Sequence, residues 1–390
     1  MLGRRQWSRY FIGALCGGAL LLAGCGDFFN KDGGGGGGGN TVGSYAYVGT
    51  QNGMLTSYSV SATGALATLA NSPLQLSTAA INGLAVTQGN GVLYAAVAGS
   101  GIFGLSINGS SGVPSLVNTS ALVQDVAPIA LTIDPSGKYL LVAGLANGAA
   151  AVAEYTINSD GTLAEVGGSP VSITFPSGTD TTNLSITSMA VAPNSSYVFV
   201  TMGQLGVAPM PFNTSGSLAA NAVLLTPKQT SGVSNQDLGV AVNPTSSALF
   251  VGETNAGVRV FTIGANNTFT EISGSPFAAG GQPRSLAFDS TGDYLYVANS
   301  SDNTISGYSV LASGSLTPLS GSPFSSVGRQ PNALALDKSK KFLIEANLNG
   351  TPTNTPDVQV FSFDATTAGK IDPGATATNA TLASSIATTH

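Results

Sequence analysis

The sequence predicts an all-β fold, a seven-bladed β-propeller made of four-stranded antiparallel blades. The prediction rests on a repeat of about 47 residues, on short apolar strands within it, and on turn residues between the strands. One strand of the repeat occurs seven times, at Tyr47-Val48, Tyr94-Ala95, Leu141-Val142, Phe199-Val200, Phe250-Val251, Tyr296-Val297 and Leu343-Ile344. A fixed period of this size indicates one blade for each copy.

The copy between residues 283 and 324 defines the blade most clearly. Its four predicted strands cover residues 284–289, 294–299, 304–310 and 316 onward, and Gly, Asn or Ser lies in each gap. Along the first strand of each copy, small and large side chains alternate, so one face is small and the other is large. Neighbouring blades crowd near the axis, where such faces interlock. We therefore assign this strand to the innermost position.

The count of strands predicts how the ring closes. The chain begins its first blade with a second strand, residues 45–50, and no first strand precedes it. The segment from about residue 376 to 388 is long enough to complete the last blade and to supply the missing strand. Such closure leaves no exposed sheet edge near the axis.

The first 44 residues predict export and anchoring. Residues 1–24 have the pattern of a signal peptide: Arg4, Arg5 and Arg9, then an apolar stretch. The stretch ends in Leu22-Ala23-Gly24-Cys25, which resembles a bacterial lipobox and predicts lipidation of Cys25; an ordinary cleavage site is the alternative. Residues 25–44 include seven consecutive glycines and predict a flexible tether, followed by the propeller at residues 45–390. Export by the general or the twin-arginine route stays open, and we expect an outer-membrane anchor facing the periplasm or the cell surface.

Composition limits the partners. Charged residues make up 8 % of the chain, the net charge is −6 and the pI is about 4.6, which argues against nucleic acid and anionic membrane surfaces. The only basic cluster, residues 338–341, lies in a predicted turn and is interpreted as solvated. Asp134, Asp289 and Asp337 are predicted to cap turns. We predict no disulfide, no metal site and no cofactor, and we expect a monomer.

The copy from Pro283 to Asn299 resembles the seven-bladed lactonase family, which includes 6-phosphogluconolactonase and fungal muconate cycloisomerase. The resemblance covers about residues 45–388. Enzymes of that family carry Pro-Arg-His before an innermost strand and Glu after the following second strand. Here Ser285 follows Pro283-Arg284, and Ser300 occupies the acidic position. The resemblance implies that Arg284 binds an oxyanion or a carboxylate; a salt bridge at the channel mouth is the alternative.

Aligning the copies predicts a ligand site at the axial mouth around Arg284. The same start position of the innermost strand is taken by Asn82, Ile129, Thr187, Leu238, Arg284 and Asn332. We name Arg284, Asn332, Asn82 and Arg329 as candidate ligand-binding residues. Arg284 and Glu253 are the candidate catalytic residues, Glu253 being placed just after a second strand. Like Arg259 and Glu345, these charged residues line the mouth or form structural pairs.

Two functions follow from these observations. We favour a propeller that binds a small anionic or lactone ligand, or a protein or glycan, at its face. The alternative is a periplasmic lactonase acting on a sugar or aromatic lactone. The His and Glu that the family resemblance would require are not at the matching positions, which is why binding is preferred to catalysis.

Overall fold

The computed structural model describes residues 43–118, 120–229, 233–348 and 355–390. Every regular element in these ranges is a β-strand, and the strands form seven separate sheets arranged as blades. The predicted signal peptide, Cys25 and nearly all of the predicted tether lie outside the described residues. The described part of the chain has no helix with the length and apolar character needed to cross a bilayer.

The strands of the first three blades agree closely with the repeat. Blade 1 contains β1 (Tyr45–Thr50), β2 (Met54–Val60), β3 (Leu66–Thr68) and β4 (Leu74–Gln75). Blade 2 contains β5 (Ile81–Val86), β6 (Val92–Val97), β7 (Gly101–Ile107) and β8 (Pro114–Leu116). Blade 3 contains β9 (Ala127–Ile133), β10 (Tyr139–Ala146), β11 (Ala149–Ile157), β12 (Leu163–Glu165) and β13 (Val171–Ser172).

The remaining blades follow the same order from the axis outward. Blade 4 contains β14 (Ser188–Val191), β15 (Tyr197–Thr201) and β16 (Val207–Pro211). Blade 5 contains β17 (Asp237–Val242), β18 (Ala248–Glu253), β19 (Gly257–Ile263) and β20 (Phe269–Glu271). Blade 6 contains β21 (Pro283–Phe288), β22 (Tyr294–Asn299), β23 (Thr304–Val310), β24 (Leu316–Pro318) and β25 (Phe324–Ser325). Blade 7 contains β26 (Pro331–Leu336), β27 (Phe342–Asn347), β28 (Val358–Phe363) and β29 (Ile371–Ala377), and β30 (Ala383–Thr388) follows.

Strand β30 closes the ring, which confirms the prediction from the strand count. It pairs antiparallel with β1, and so becomes the innermost strand of blade 1, while β29 completes blade 7 beside β28. All six residues of β30 are buried. The first and last blades are therefore joined by main-chain hydrogen bonds rather than by side-chain packing alone.

The described residues of blade 4 form three strands, so the prediction of four strands in every blade is wrong there. On the outer edge of β16, the backbone groups available to a fourth strand belong to Val207, Pro209 and Pro211. Of these residues, only Val207 both donates and accepts a backbone hydrogen bond with the next segment, in each case with Leu225. Proline has no N–H, so a regular fourth strand cannot pair along the rest of this edge.

The core is divided among the blade interfaces. The described residues form seven apolar clusters, and each fills the space between two adjacent blades. The interface of blades 5 and 6, for example, packs Phe250 edge-on against Phe288 with ring centroids 5.1 Å apart. The alternation of small and large residues in the innermost strands is what lets neighbouring sheets approach this closely.

The turns at one end of the innermost strands are held by carboxylates, as predicted. Asp134, Asp289 and Asp337 each accept several backbone N–H groups of the turn that follows them. We call this end of the propeller the turn face. The opposite end, where the innermost strands begin, is the mouth face.

Candidate functional site

A β-bulge lies at the start of the innermost strand, on the mouth face, in six of the seven blades. The bulged residues are Asn82, Ile129, Leu238, Arg284, Asn332 and Ser384. Five of them are the residues that the alignment of the copies placed together, and β30 adds Ser384. Thr187 precedes β14, whose pairing with β15 has no register shift.

Several of these side chains join one blade to the next. The Nδ2 atom of Asn82 donates to the Pro128 carbonyl at 3.1 Å, and that of Asn332 donates to the Ser384 carbonyl at 2.7 Å. The Ser384 hydroxyl in turn donates to the Ile81 carbonyl at 2.8 Å. Asn82 and Asn332 therefore sit at the predicted mouth, and their amide donors hold the ring of innermost strands together.

Arg284 is the one charged residue among the six bulged positions. It is 6 % exposed, and Nη2 donates to Gln282 Oε1 at 3.2 Å. Burial lowers its pKa to about 10, so the guanidinium is still protonated at neutral pH. The structure therefore places a cation inside the mouth, surrounded at the equivalent positions by neutral side chains. Arg329 is exposed, in the loop before β26.

A pocket of about 650 Å³ lies beside Arg284, across the mouth ends of blades 5 and 6. Its polar lining consists of Ser234, Gln236, Thr254, Asn255, Gln282 and Ser301, and alanines and glycines complete it. Among the described residues that line it, none is titratable. Gln282 belongs both to the pocket wall and to the hydrogen bond with Arg284, so it connects the pocket to the cation.

A buried charge cluster lies on the other side of the pocket, in blade 5. Arg259 Nη1 lies 3.0 Å from Glu253 Oε2, and Nη2 lies 3.0 Å from Glu271 Oε2. Glu253 also accepts the Lys228 backbone N–H at 2.9 Å and Asn235 Nδ2 at 2.9 Å. Glu253 is the last residue of β18, rather than the first residue after it, and it holds the segment that leads into β17.

The structure adds a second acid that the sequence did not single out. Asp237 stands opposite Glu253 in the ladder of β17 and β18, and both residues are fully buried. Burial, and then the neighbouring Glu253 carboxylate, raise the pKa of Asp237 well above its usual range, and Arg259 partly opposes this. The arrangement favours the protonated form of Asp237 beside the salt bridge of Glu253 and Arg259.

Hydrogen bonds through the side-chain amides of Asn235 and Asn255 connect the charge cluster to the pocket wall. Asn255, on the pocket wall, donates Nδ2 to Asn235 Oδ1 at 3.2 Å, and Asn235 donates to Glu253. Glu253 is thus separated from the pocket surface by two hydrogen bonds. It can position the wall, but it does not itself contact a ligand there.

Glu345 is the third buried acid near the mouth face. As predicted it lies within a second strand, β27, and it faces blade 6. The Ser326 hydroxyl donates to Oε2 at 2.9 Å, and burial raises the pKa of Glu345 to about 7. The carboxyl group is therefore partly protonated at neutral pH and is enclosed, so it does not line the pocket.

A family model described as "Lactonase, 7-bladed beta-propeller" matches residues 41–381. The chain belongs to this family of seven-bladed lactonase propellers. The match extends over strands of all seven blades and ends just before β30, the strand that closes the ring.

Solved structures share the fold at low sequence identity. A putative 6-phosphogluconolactonase from Bacteroides uniformis has a TM-score of 0.69 and 15 % identity, covering 89 % of this chain and 99 % of that one. The periplasmic gluconolactonase of Pseudomonas aeruginosa has a TM-score of 0.68 and 18 % identity, with coverage of 89 % and 99 %. A functionally unknown protein from Desulfotomaculum acetoxidans has a TM-score of 0.64 and 14 % identity, with coverage of 89 % and 99 %. No curated protein sequence matches the chain.

Proposed function

We propose that this protein binds a small, hydroxylated, acidic ligand, a sugar acid or its lactone, in the pocket between blades 5 and 6. The observation that carries the proposal is the pocket itself, with neutral hydroxyl and amide groups on its wall and the buried Arg284 cation behind Gln282. Hydroxyls and amides both donate and accept hydrogen bonds, as sugar hydroxyls require. A volume of about 650 Å³ suits a ligand of this size.

Binding is favoured over hydrolysis by the positions of the acids. Opening a lactone by general base catalysis needs a base within hydrogen-bond reach of the attacking water. Asp237 and Glu253 are fully buried, and two amides separate Glu253 from the pocket. Ser285 and Ser300 occupy the positions at which the family resemblance implies His and Glu.

Lactone hydrolysis is the second candidate function, and one observation favours it. Arg284 lies in the mouth at the position where the family resemblance implies an arginine, and an oxyanion could be stabilised there. Two of the structural neighbours are also described as lactonases. Hydrolysis of glucono-δ-lactone by the protein, well above the rate in buffer and lost in Arg284→Gln, would favour this candidate.

Calorimetric titration with gluconate and with glucono-δ-lactone tests the binding proposal. We expect Arg284→Gln to weaken gluconate binding about ten- to hundredfold, because the buried cation that attracts the carboxylate from behind the pocket wall is lost. Lys138→Gln removes a cation from the turn face and is the matched control, with no change expected. Thermal unfolding of both variants checks that the fold is kept. Equal affinity of Arg284→Gln and wild type would remove Arg284 from the site.

We further propose that the protein is exported and lipid-anchored through Cys25 in the outer membrane. The support is the Leu22-Ala23-Gly24-Cys25 sequence after an apolar stretch. One structural neighbour is described as periplasmic. Cys25→Ser is expected to move the protein from the membrane fraction to the soluble fraction and to abolish incorporation of labelled palmitate. A wild-type protein that fractionates as soluble would refute the anchor.

A further inference from the structure

Three lysines lie together in one turn of an otherwise acidic protein. Lys338, Lys340 and Lys341 follow β26 in blade 7, and they are three of the nine Lys and Arg residues after Gly43. Lys340 and Lys341 are exposed, and none of the three forms a salt bridge with a described residue. We call this group the lysine turn.

The polypeptide enters the propeller at the lysine turn. The Ser44 hydroxyl donates to Asp337 Oδ2 at 3.2 Å, across 293 residues of sequence, and β1 begins at Tyr45. The same Asp337 carboxylate accepts the backbone N–H groups of Ser339 and Lys341. One carboxylate therefore ties the start of the folded chain to the turn that carries the three ammonium groups.

This point lies on the face opposite the pocket. The bulge at Asn332 begins β26 at the mouth face, and Asp337 follows the strand at its other end. Six residues of extended chain separate the two faces by roughly 20 Å. A membrane anchor attached before Gly43 would thus pull on the turn face, away from Arg284.

We propose that the lysine turn docks on anionic lipid headgroups of the anchoring membrane and holds the pocket facing away from it. The inference rests on the proposed anchor at Cys25. It differs from the expectation drawn from overall charge, because the charge that matters for docking is local: the turn beside the attachment point is basic, while the chain as a whole is acidic.

Because the proposed anchor keeps the protein at the membrane, a weak attraction between the lysine turn and the lipid headgroups is sufficient for docking. Seventeen residues separate Cys25 from Gly43, and a coil of that length typically spans about 23 Å, so an anchor at Cys25 keeps the turn within reach of the membrane. A lysine near an anionic surface strengthens binding about fivefold. In the neighbouring outer turn, Asp364 and Asp372 are both bound by Lys370, at 2.9 and 2.6 Å, so their charge is partly neutralised. The anionic membrane would also repel the rest of the protein, which is acidic, and this repulsion would reinforce the same orientation.

Amine acetylation read by mass spectrometry tests the docking. The full-length lipidated protein is placed in vesicles of phosphatidylcholine alone or mixed with phosphatidylglycerol. We expect the lysine turn to react several times more slowly on the anionic vesicles, and high salt to remove the difference. Lys228, an exposed residue whose backbone N–H bonds Glu253 on the mouth face, is the control within the same molecule. Equal reactivity of the lysine turn on both vesicles would overturn the proposal.

A second measurement separates docking from anchoring. The Cys25→Ser chain is floated at low salt with the same vesicles at millimolar accessible lipid, the effective concentration that the anchor would otherwise supply. A variant that adds Lys338→Gln, Lys340→Asn and Lys341→Gln is floated beside it. Asn is chosen at position 340 because the backbone there has φ of +59°, which Asn tolerates. We expect the Cys25→Ser chain to float with anionic vesicles in a salt-sensitive way. The floated fraction should fall at least tenfold in the triple variant and should not fall in the control variant Lys228→Gln/Arg329→Gln. Flotation that is absent, or equal in all variants, would refute docking even where the anchor holds.

Discussion

Removing residues 378–390 is expected to abolish cooperative folding, because the deletion takes out β30 and leaves the innermost strand of blade 1 missing. All six residues of β30 are buried between β1, β5 and β26. The deletion removes the ladder to β1, the burial of Ile386 and the Ser384 hydrogen bonds that join blade 1 to blade 2. At about 1 kcal/mol for each backbone hydrogen bond and about 2 kcal/mol for the isoleucine, the loss approaches the whole stability of a typical domain.

Circular dichroism during thermal and urea unfolding measures this effect. The control is removal of His390 alone, which lies after β30 and bonds Asn90 and Val86. We expect the control to unfold cooperatively near the wild-type midpoint. A protein lacking residues 378–390 that melts like the full-length chain would contradict the closure by β30.

Arg259→Leu is expected to cost about 3–5 kcal/mol at neutral pH, since it leaves the buried Glu253 carboxylate without its cation. Glu271→Gln removes the other partner of Arg259. That side chain is 27 % exposed, so a change of about 1 kcal/mol or less is expected there. The two variants separate the contribution of the buried Arg259–Glu253 pair from that of the partly exposed Arg259–Glu271 pair.

The deficit of Arg259→Leu is expected to grow with pH. Burial raises the pKa of Asp237, so the stability that this group contributes is present below its unfolded pKa of about 3.9 and is lost as pH rises through the folded value. Arg259 opposes that rise in pKa, so its loss extends the decline in stability to higher pH. Urea unfolding at several pH values between about 4 and 8 measures the difference from wild type. A deficit independent of pH would show that the acids are not the cause.

Much of the fold is determined by local sequence. The period of about 47 residues, the turn residues and the alternation of small and large side chains are each read within one blade. The strands β22 (Tyr294–Asn299) and β23 (Thr304–Val310) have the bounds that the sequence predicted. Closure by the last strand follows from counting, since a ring with one innermost strand missing has only the tail to supply it.

The candidate site was predictable only in part. The bulged positions, including Arg284, are found by aligning the copies, because each blade repeats the same local geometry. Asp237 was missed, although a carboxylate that opens an apolar strand is a signal that could have revealed it. Asp237 lies beside Glu253 and Arg259 only because of the register of β17, β18 and β19. That register determines which side chains lie on the same face of the sheet.

The closed ring decided the rest. The pocket is assembled from loops of adjacent blades, and no single repeat contains it. The Ser44–Asp337 contact spans 293 residues and exists only because β30 brings blade 1 beside blade 7. By itself the sequence determined the repeated unit, its strands and its turns, because hydrogen bonding and side-chain alternation act between near neighbours. Which charges meet, and which face carries the pocket or the chain terminus, was decided by packing between blades, where contacts join residues that the sequence separates.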